Sequence, residues 1–315
     1  MGFLPMEAEL LPPSDDRIFK LILTAPEAGP VLTDLISAIL GREVTDAVVR
    51  NNELPPEDAE EKAERLDVNC RTADGTQVDL EMQASRIQEF ADGKHENLKC
   101  KSVYYLCDLH SSQSARGLRR YDALAQTWQV TFCSYTAFPE RKGFLNSFSL
   151  RHDIDNGLFC GAIHVVFVEL SKLRDILKKP VSKMTDLEKW ALFFRYANET
   201  AQRKTVNEVI ASKEVLQVAG NLLMSVSRNE RERAVYRSRR MYETDRMSDL
   251  ATAEDRGWDR GHREGRLEGH REGRLEGMVE VARNMLKANY PLGEVAKLTG
   301  LTEAALEELN ATQPG

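Results

Sequence analysis

Two hydrophobic rhythms run along this chain, and the predicted architecture changes where one replaces the other. Near the start, DDRIFKLIL (15–23) repeats apolar residues at helical spacing. Val31 to Leu40 does so again through Leu32, Leu35, Ile36 and Ile39, with Gly41 as its stop. Ser14 is placed to cap the first helix, and Asp15 and Asp16 fall in its first turn. VTDAVVR (44–50) reads as a strand and the acidic Pro-Pro stretch after it as a surface loop. RLDVNCRTADGTQVDLEMQ (65–83) alternates with period two on both sides of Asp74-Gly75, the mark of a hairpin. Residues 95–110 and 116–126 read as helices. TWQVTFCSYTAF (127–138) and GAIHVVFVEL (161–170) read as strands, the second apolar enough to be buried. A mixed sheet flanked by helices follows, an α/β fold.

From Ser171 onward the strand rhythm ends, and helical patterns occupy 186–198, 204–225 and 229–256. The octapeptide GHREGRLE then occurs twice in succession (261–268, 269–276), with glycine at every fourth position from Gly257 to Gly277. An interior glycine costs a helix about 1 kcal/mol relative to alanine. A four-residue period also drifts around a 3.6-residue helix. The segment reads either as a helical linker or as a close-packing self-association element. MLKANYPLGEVAKLTGLTEAALEELN (285–310) reads as two short helices around a Thr-Gly turn. As a helix-turn-helix its second helix would enter a DNA groove. That helix carries Glu303, Glu307 and Glu308 and no Lys or Arg, which favours a packing or partner-binding module. The expected divisions are therefore 1–170, 171–256, 257–280 and 281–315.

The hairpin carries the chemistry. Leu66, Val68 and Cys70 share a face with Val78, Leu80 and Met82, whereas Asp67 and Asn69 share the other with Gln77, Asp79, Glu81 and Gln83. A two-residue loop would set Asp67 against Met82 and mix the faces. A three-residue loop, Ala73-Asp74-Gly75, pairs Arg71 with Gln77 and Asp67 with Glu81 and keeps every apolar residue on one side. Cβ atoms of such a pair lie roughly 5 Å apart. Facing carboxylates are tolerable when one is protonated or a cation lies between them. Hard oxygen donors suit Mg²⁺ or Mn²⁺. Gln83, on the same face, can orient a water or phosphate oxygen but has no charge and is no base. The plain alternative is a solvated outer face of the sheet.

Composition narrows the setting. The chain has 315 residues, 42% of them hydrophobic, enough for one substantial core and an extension. Its five cysteines form no CxxC pair, which points to free thiols in a reducing cytoplasm, and the six histidines show no ligand spacing. MGFLPMEAELLPP lacks the basic start and apolar run of a signal peptide. No stretch reaches the ~20 apolar residues of a membrane helix, so no membrane association is expected. The net charge of −7 is uneven: residues 86–142 hold nine Lys/Arg against six Asp/Glu, including Arg116, Arg119 and Arg120. Phosphate contact needs such a local surplus rather than a positive total; an ordinary solvated helix face accounts for the same arginines.

RLDV, then DGTQVDLEMQ, preceded by DDRIFK, resembles the family of recombination-promoting nucleases and transposases within the PD-(D/E)XK nuclease superfamily. The resemblance covers residues 14 to 170, and the glycine-periodic tail has counterparts there. It implies a restriction-endonuclease-like core followed by an α-helical extension, and a bacterial, Mg²⁺-dependent DNA endonuclease linked to recombination or mobile elements. By this resemblance Asp67 and Glu81 are the metal ligands. Gln83 stands where most of the superfamily has lysine. Asp16, Phe19 and Lys20 match the first-helix motif, with Asp16 among the catalytic residues and Lys20 toward DNA. KSVYY (101–105) matches the helix after the core, with Lys101 at a position where arginine is more usual. Asp79 is an additional acid on the same face. DNA and a second copy of the chain are the implied partners. A non-catalytic DNA-binding or self-assembling protein that keeps the fold is the alternative, and an RNA-directed nuclease a third.

Overall fold

A computed structural model describes residues 3–50, 68–84, 94–113 and 120–311. Its strands are β1 (Ala47–Val49), β2 (Val68–Thr72), β3 (Gln77–Gln83), β4 (Thr127–Cys133), β5 (Leu145–Ser149) and β6 (Ile163–Glu169). They form one sheet in the order β1-β2-β3-β4-β6-β5. The β1/β2, β2/β3 and β5/β6 pairs are antiparallel, whereas β3/β4 and β4/β6 are parallel. The expected mixed sheet is therefore present. A parallel pair needs a long crossover, and α3 (Lys94–Ser111) lies in the connection from β3 to β4.

Period-two alternation sorts the sheet into two unlike faces. Val68, Cys70, Val78, Leu80, Met82, Val130, Phe132, Val166 and Val168 point into the main core, against α1 (Asp16–Leu23) and α2 (Gly29–Leu40). The same core takes in α4 (Asp186–Tyr196), α5 (Arg203–Ala211) and α6 (Glu214–Arg228). Phe19 of α1 meets Phe132 at 5.5 Å and Phe194 at 5.0 Å between ring centroids, and Trp190 stacks on Phe194 at 5.7 Å. Such pairs add about 0.5–1.5 kcal/mol each beyond area burial. The N-terminal segment is tied to α5. Leu4 exchanges hydrogen bonds of 2.8 and 2.9 Å with the Asn207 amide, and buried Arg203 donates to the Pro5 and Ala8 carbonyls.

Four local expectations change. Asp15 rather than Ser14 caps α1, accepting from the amides of Arg17 at 3.0 Å and Ile18 at 3.2 Å. The helix expected over 116–126 is absent from its described part, where Tyr121–Ala123 makes one 3₁₀ turn before β4. The helix expected over 204–225 is two: the chain extends at Lys213, whose ammonium binds Asp34 at 2.5 Å and Asp186 at 2.5 Å. No glycine or proline marks that break. Strand β5 is an addition to the expected set, because its inward residue is an amide, Asn146, while Leu145 is 42% exposed.

The chain divides into two compact units, Met1–Glu243 and Thr244–Gly315. Helix α7 (Glu230–Lys287) contributes its first turns to the first unit. In the second unit α7 passes through all six periodic glycines, and a Cβ at any of them would meet nothing. Its last turns pack with α8 (Leu292–Thr299) and α9 (Glu303–Ala311) around Ala282, Val295 and Leu306. Gly300, at φ 73°, makes the expected turn between those two helices.

Candidate active site

The hairpin has the three-residue loop. Arg71 pairs with Gln77, Cys70 with Val78, Asn69 with Asp79 and Val68 with Leu80. Thr72 N donates to Thr76 O at 2.9 Å, Gly75 N to Thr72 O at 2.9 Å, and Gly75 takes φ 89°, a conformation a side chain would strain. The Thr72 hydroxyl, with the Thr76 amide and the Arg42 guanidinium at 2.7 Å, holds the Asp74 carboxyl down at about 2. The Asp67–Glu81 pair falls partly outside the described residues, because Asp67 is not among them.

Around Asp79 and Glu81 the polar face of the hairpin is buried rather than solvated, whereas Asn69, Gln77 and Gln83 are half-buried. Asp79 and Glu81 are each only 3% exposed. Parallel pairing sets Asp79 beside Gln129, Glu81 beside Thr131 and Gln83 beside Cys133. Thr127, Gln129 and Thr131 are buried as well, and α3 crosses above them, with Ser102 3.5 Å from the Thr131 hydroxyl. Gln129 and Thr131 are absent from the sequence-derived candidates, although the alternation Thr127, Gln129, Thr131 within TWQVTFC is a readable period-two signal.

Burying a carboxylate costs several kcal/mol unless donors replace its water. Glu81 Oε1 takes the Lys101 ammonium from α3. Glu81 Oε2 is buried with no hydrogen-bond partner among the described residues, and neither amide atom of Gln129 has one. On the opposite face burial, with the Asp79 charge behind it, drives the Cys70 thiol far above its ordinary range, so it is no nucleophile.

A family model of PD-(D/E)XK nuclease family transposases matches residues 13–253, spanning the whole sheet, α1 to α6 and the start of α7. The chain belongs to that family. Neither a curated protein nor a solved structure matches it.

The remaining candidate residues fall in different parts of the fold. Gln83 ends β3, half-buried, and its carbonyl accepts from the Ser134 amide at 3.1 Å. Asp16 lies on α1, which packs on the apolar face away from α3. Its carboxylate takes Arg239 Nη2 at 2.8 Å and the Arg17 amide at 2.7 Å. The structure therefore gathers Glu81, Asp79, Gln129 and Lys101 on one face, with Asp16 in the other layer. Lys20 is fully buried and offers no surface to a phosphate. Arg120 is exposed and paired with Asp122, whereas Arg116 and Arg119 lie outside the described residues. Among the described residues no group of three or more His, Cys, Asp or Glu stands where it could hold a metal. The carboxylates described on this face are those of Asp79 and of Glu81, whose Oε2 has no hydrogen-bond partner among the described residues. No described helix is long and apolar enough to cross a membrane.

Proposed function

We propose that the protein is a divalent-metal-dependent DNA endonuclease that hydrolyses phosphodiester bonds in recombination or mobile-element processing. The observation that carries this reading is Glu81 Oε2, a buried carboxylate oxygen with no donor among the described residues, on the polar face of a nuclease-family sheet. Glu81 and Asp67 would hold Mg²⁺ or Mn²⁺; the register that pairs Val68 with Leu80, if continued by one residue, would set Asp67 opposite Glu81. When bound, such an ion supplies Lewis-acid stabilisation of charge on the phosphate and acidifies water. Gln83 contributes an amide that orients the attacking water or a phosphate oxygen. The Gln129 amide, also without a partner among the described residues, would be a second polar anchor beside Asp79. Local positive charge around Arg116, Arg119 and Arg120 would track the DNA backbone. The test is plasmid nicking by purified protein with and without Mg²⁺, beside Asp67→Ala and Glu81→Ala. Wild-type rates in either variant would remove the metal assignment.

We also propose that two copies associate in parallel through the glycine-periodic part of α7. Residues 244–277 of that helix are exposed apart from half-buried Met247. His262, Arg266, His270 and Arg274 follow successive glycines, and Glu264, Glu268, Glu272 and Glu276 precede them. The glycine row, which winds around the helix as its four-residue period drifts against 3.6 residues per turn, keeps a basic flank on one side and an acidic flank on the other, so the seam winds with it. In a parallel pair opposite flanks face each other across the seam, so unlike charges meet. An antiparallel pair would oppose like charges. Gly265→Leu with Gly273→Leu separates this from a solitary helix: each change favours the isolated helix by roughly 1 kcal/mol, whereas bulk on the seam blocks close approach. Light scattering should show a smaller mass for the double variant, and an unchanged mass would remove the seam.

A further inference from the structure

We propose that Lys101 is a built-in counter-cation of Glu81, holding the carboxylate in the cation-free protein and yielding to a divalent ion when one binds. The inference rests on the nuclease reading of Glu81. The Lys101 ammonium reaches down from α3 to Glu81 Oε1, and the carboxylate it meets is 3% exposed. A buried charge of that kind needs a compensating charge from its own chain whenever no metal is present. Among the positions facing Glu81 that role falls to Lys101, because Gln83 on the neighbouring turn of the strand is neutral.

The geometry also lets the ammonium leave. The Lys101 side chain is 31% exposed, so its head stands at the margin of the buried face. The Tyr105 ring, one turn along α3, has its centroid 5.4 Å from Nζ and offers a cation–π seat beside the site. An ammonium displaced toward that seat stays at the mouth of the site, next to where a phosphate must approach Glu81. It supplies there the positive charge that Gln83 lacks. Lys101 therefore acts in two opposed ways. It competes with the metal for Glu81, and it helps the anionic substrate once the metal has won.

Opposed signs make the idea testable. Mn²⁺ is titrated calorimetrically into the full chain as wild type, Lys101→Met, Lys101→Arg and Glu81→Gln, with plasmid nicking followed at saturating Mn²⁺. Lys101→Met keeps the stem's packing and removes the charge; thermal unfolding reports that it is folded, and Lys101→Gln serves if it is not. The expected result is Mn²⁺ binding roughly two- to fivefold tighter for Lys101→Met, the order set by removal of a competing ion pair, together with slower nicking. Lys101→Arg should restore both toward wild type. Unchanged or weaker Mn²⁺ binding by Lys101→Met, with binding abolished in Glu81→Gln, overturns the counter-cation alone. Wild-type Mn²⁺ binding by Glu81→Gln overturns the nuclease reading of Glu81 itself.

Discussion

Glu81 and Glu169 are both buried glutamates on strands of one sheet, each facing a lysine. Around Glu169 the shell is complete. Oε1 accepts from the amides of Ala137 at 2.7 Å and Phe138 at 3.0 Å, and Oε2 from Asn146 Nδ2 at 2.7 Å and Lys172 Nζ at 2.6 Å. Lys172 is itself anchored by the carbonyls of Phe138 and Arg141, each at 2.7 Å. Around Glu81, Oε1 meets Lys101 and Oε2 meets nothing among the described residues. One carboxylate ties β5, β6 and the segment after β4 together. The other keeps an oxygen in reserve. A carboxylate that only holds a fold is satisfied by its own chain, and the shell of Glu81, incomplete among the described residues, is the feature on which the proposed metal role rests.

The largest expected effect that could break this contrast is on stability. Glu169→Ala leaves two amides, an amide side chain and a lysine without their acceptor, and should cost about 3–5 kcal/mol in urea denaturation. Glu81→Gln, removing a carboxylate with a half-empty shell, should cost no more than about 1 kcal/mol while abolishing nicking. Equal costs in the two variants would erase the distinction between a structural and a functional glutamate.

A smaller effect concerns the layer that holds Asp16. Burial, with the Asp16 charge beside it, pushes the Asp15 carboxyl up to about 7, against which Arg239 and the Ile18 amide act; Glu243 adds a further acid. Because the folded chain keeps this proton longer than the unfolded one, the group's contribution to stability falls as pH rises from 3.8 to about 7. Asp15→Asn preserves the cap and removes the charge. Its melting temperature should rise relative to wild type by roughly 2 °C or more at pH 8 and by little at pH 4. A pH-independent difference would assign Asp15 to capping alone. Smaller again, replacing Arg116, Arg119 and Arg120 with alanine should lower the log–log salt slope of DNA binding by roughly 0.9 for each phosphate the protein no longer neutralises. An unchanged slope would leave these arginines as solvated surface.

The hairpin is legible in the sequence because a one-residue slip would expose Val68, Val78 and Leu80 together, leaving one register that keeps a clean face. Gly75 then has to sit where φ is positive. The burial of the other face is not legible, since Asp79 and Glu81 alternate as they would on a solvated strand. What hides them is α3, a helix of weak amphipathic character whose buried row is short, Leu98, Ser102 and Leu106, with a hydroxyl at its middle. Strand β5 is hidden for a related reason: its buried position is taken by Asn146, there to serve Glu169. The Lys101–Glu81 contact joins residues twenty positions apart and depends on that same docking.

On the metal reading, Glu81 and not Glu169 offers a carboxylate oxygen, one without a partner among the described residues, to a divalent ion. Crystals grown with Mn²⁺ and measured at an anomalous wavelength test it directly. The expected map has an anomalous peak about 2.0–2.2 Å from Glu81 Oε2, with Asp67 among the ligands and no peak at Glu169. A map with Mn²⁺ elsewhere in the molecule and none at Glu81 would contradict it.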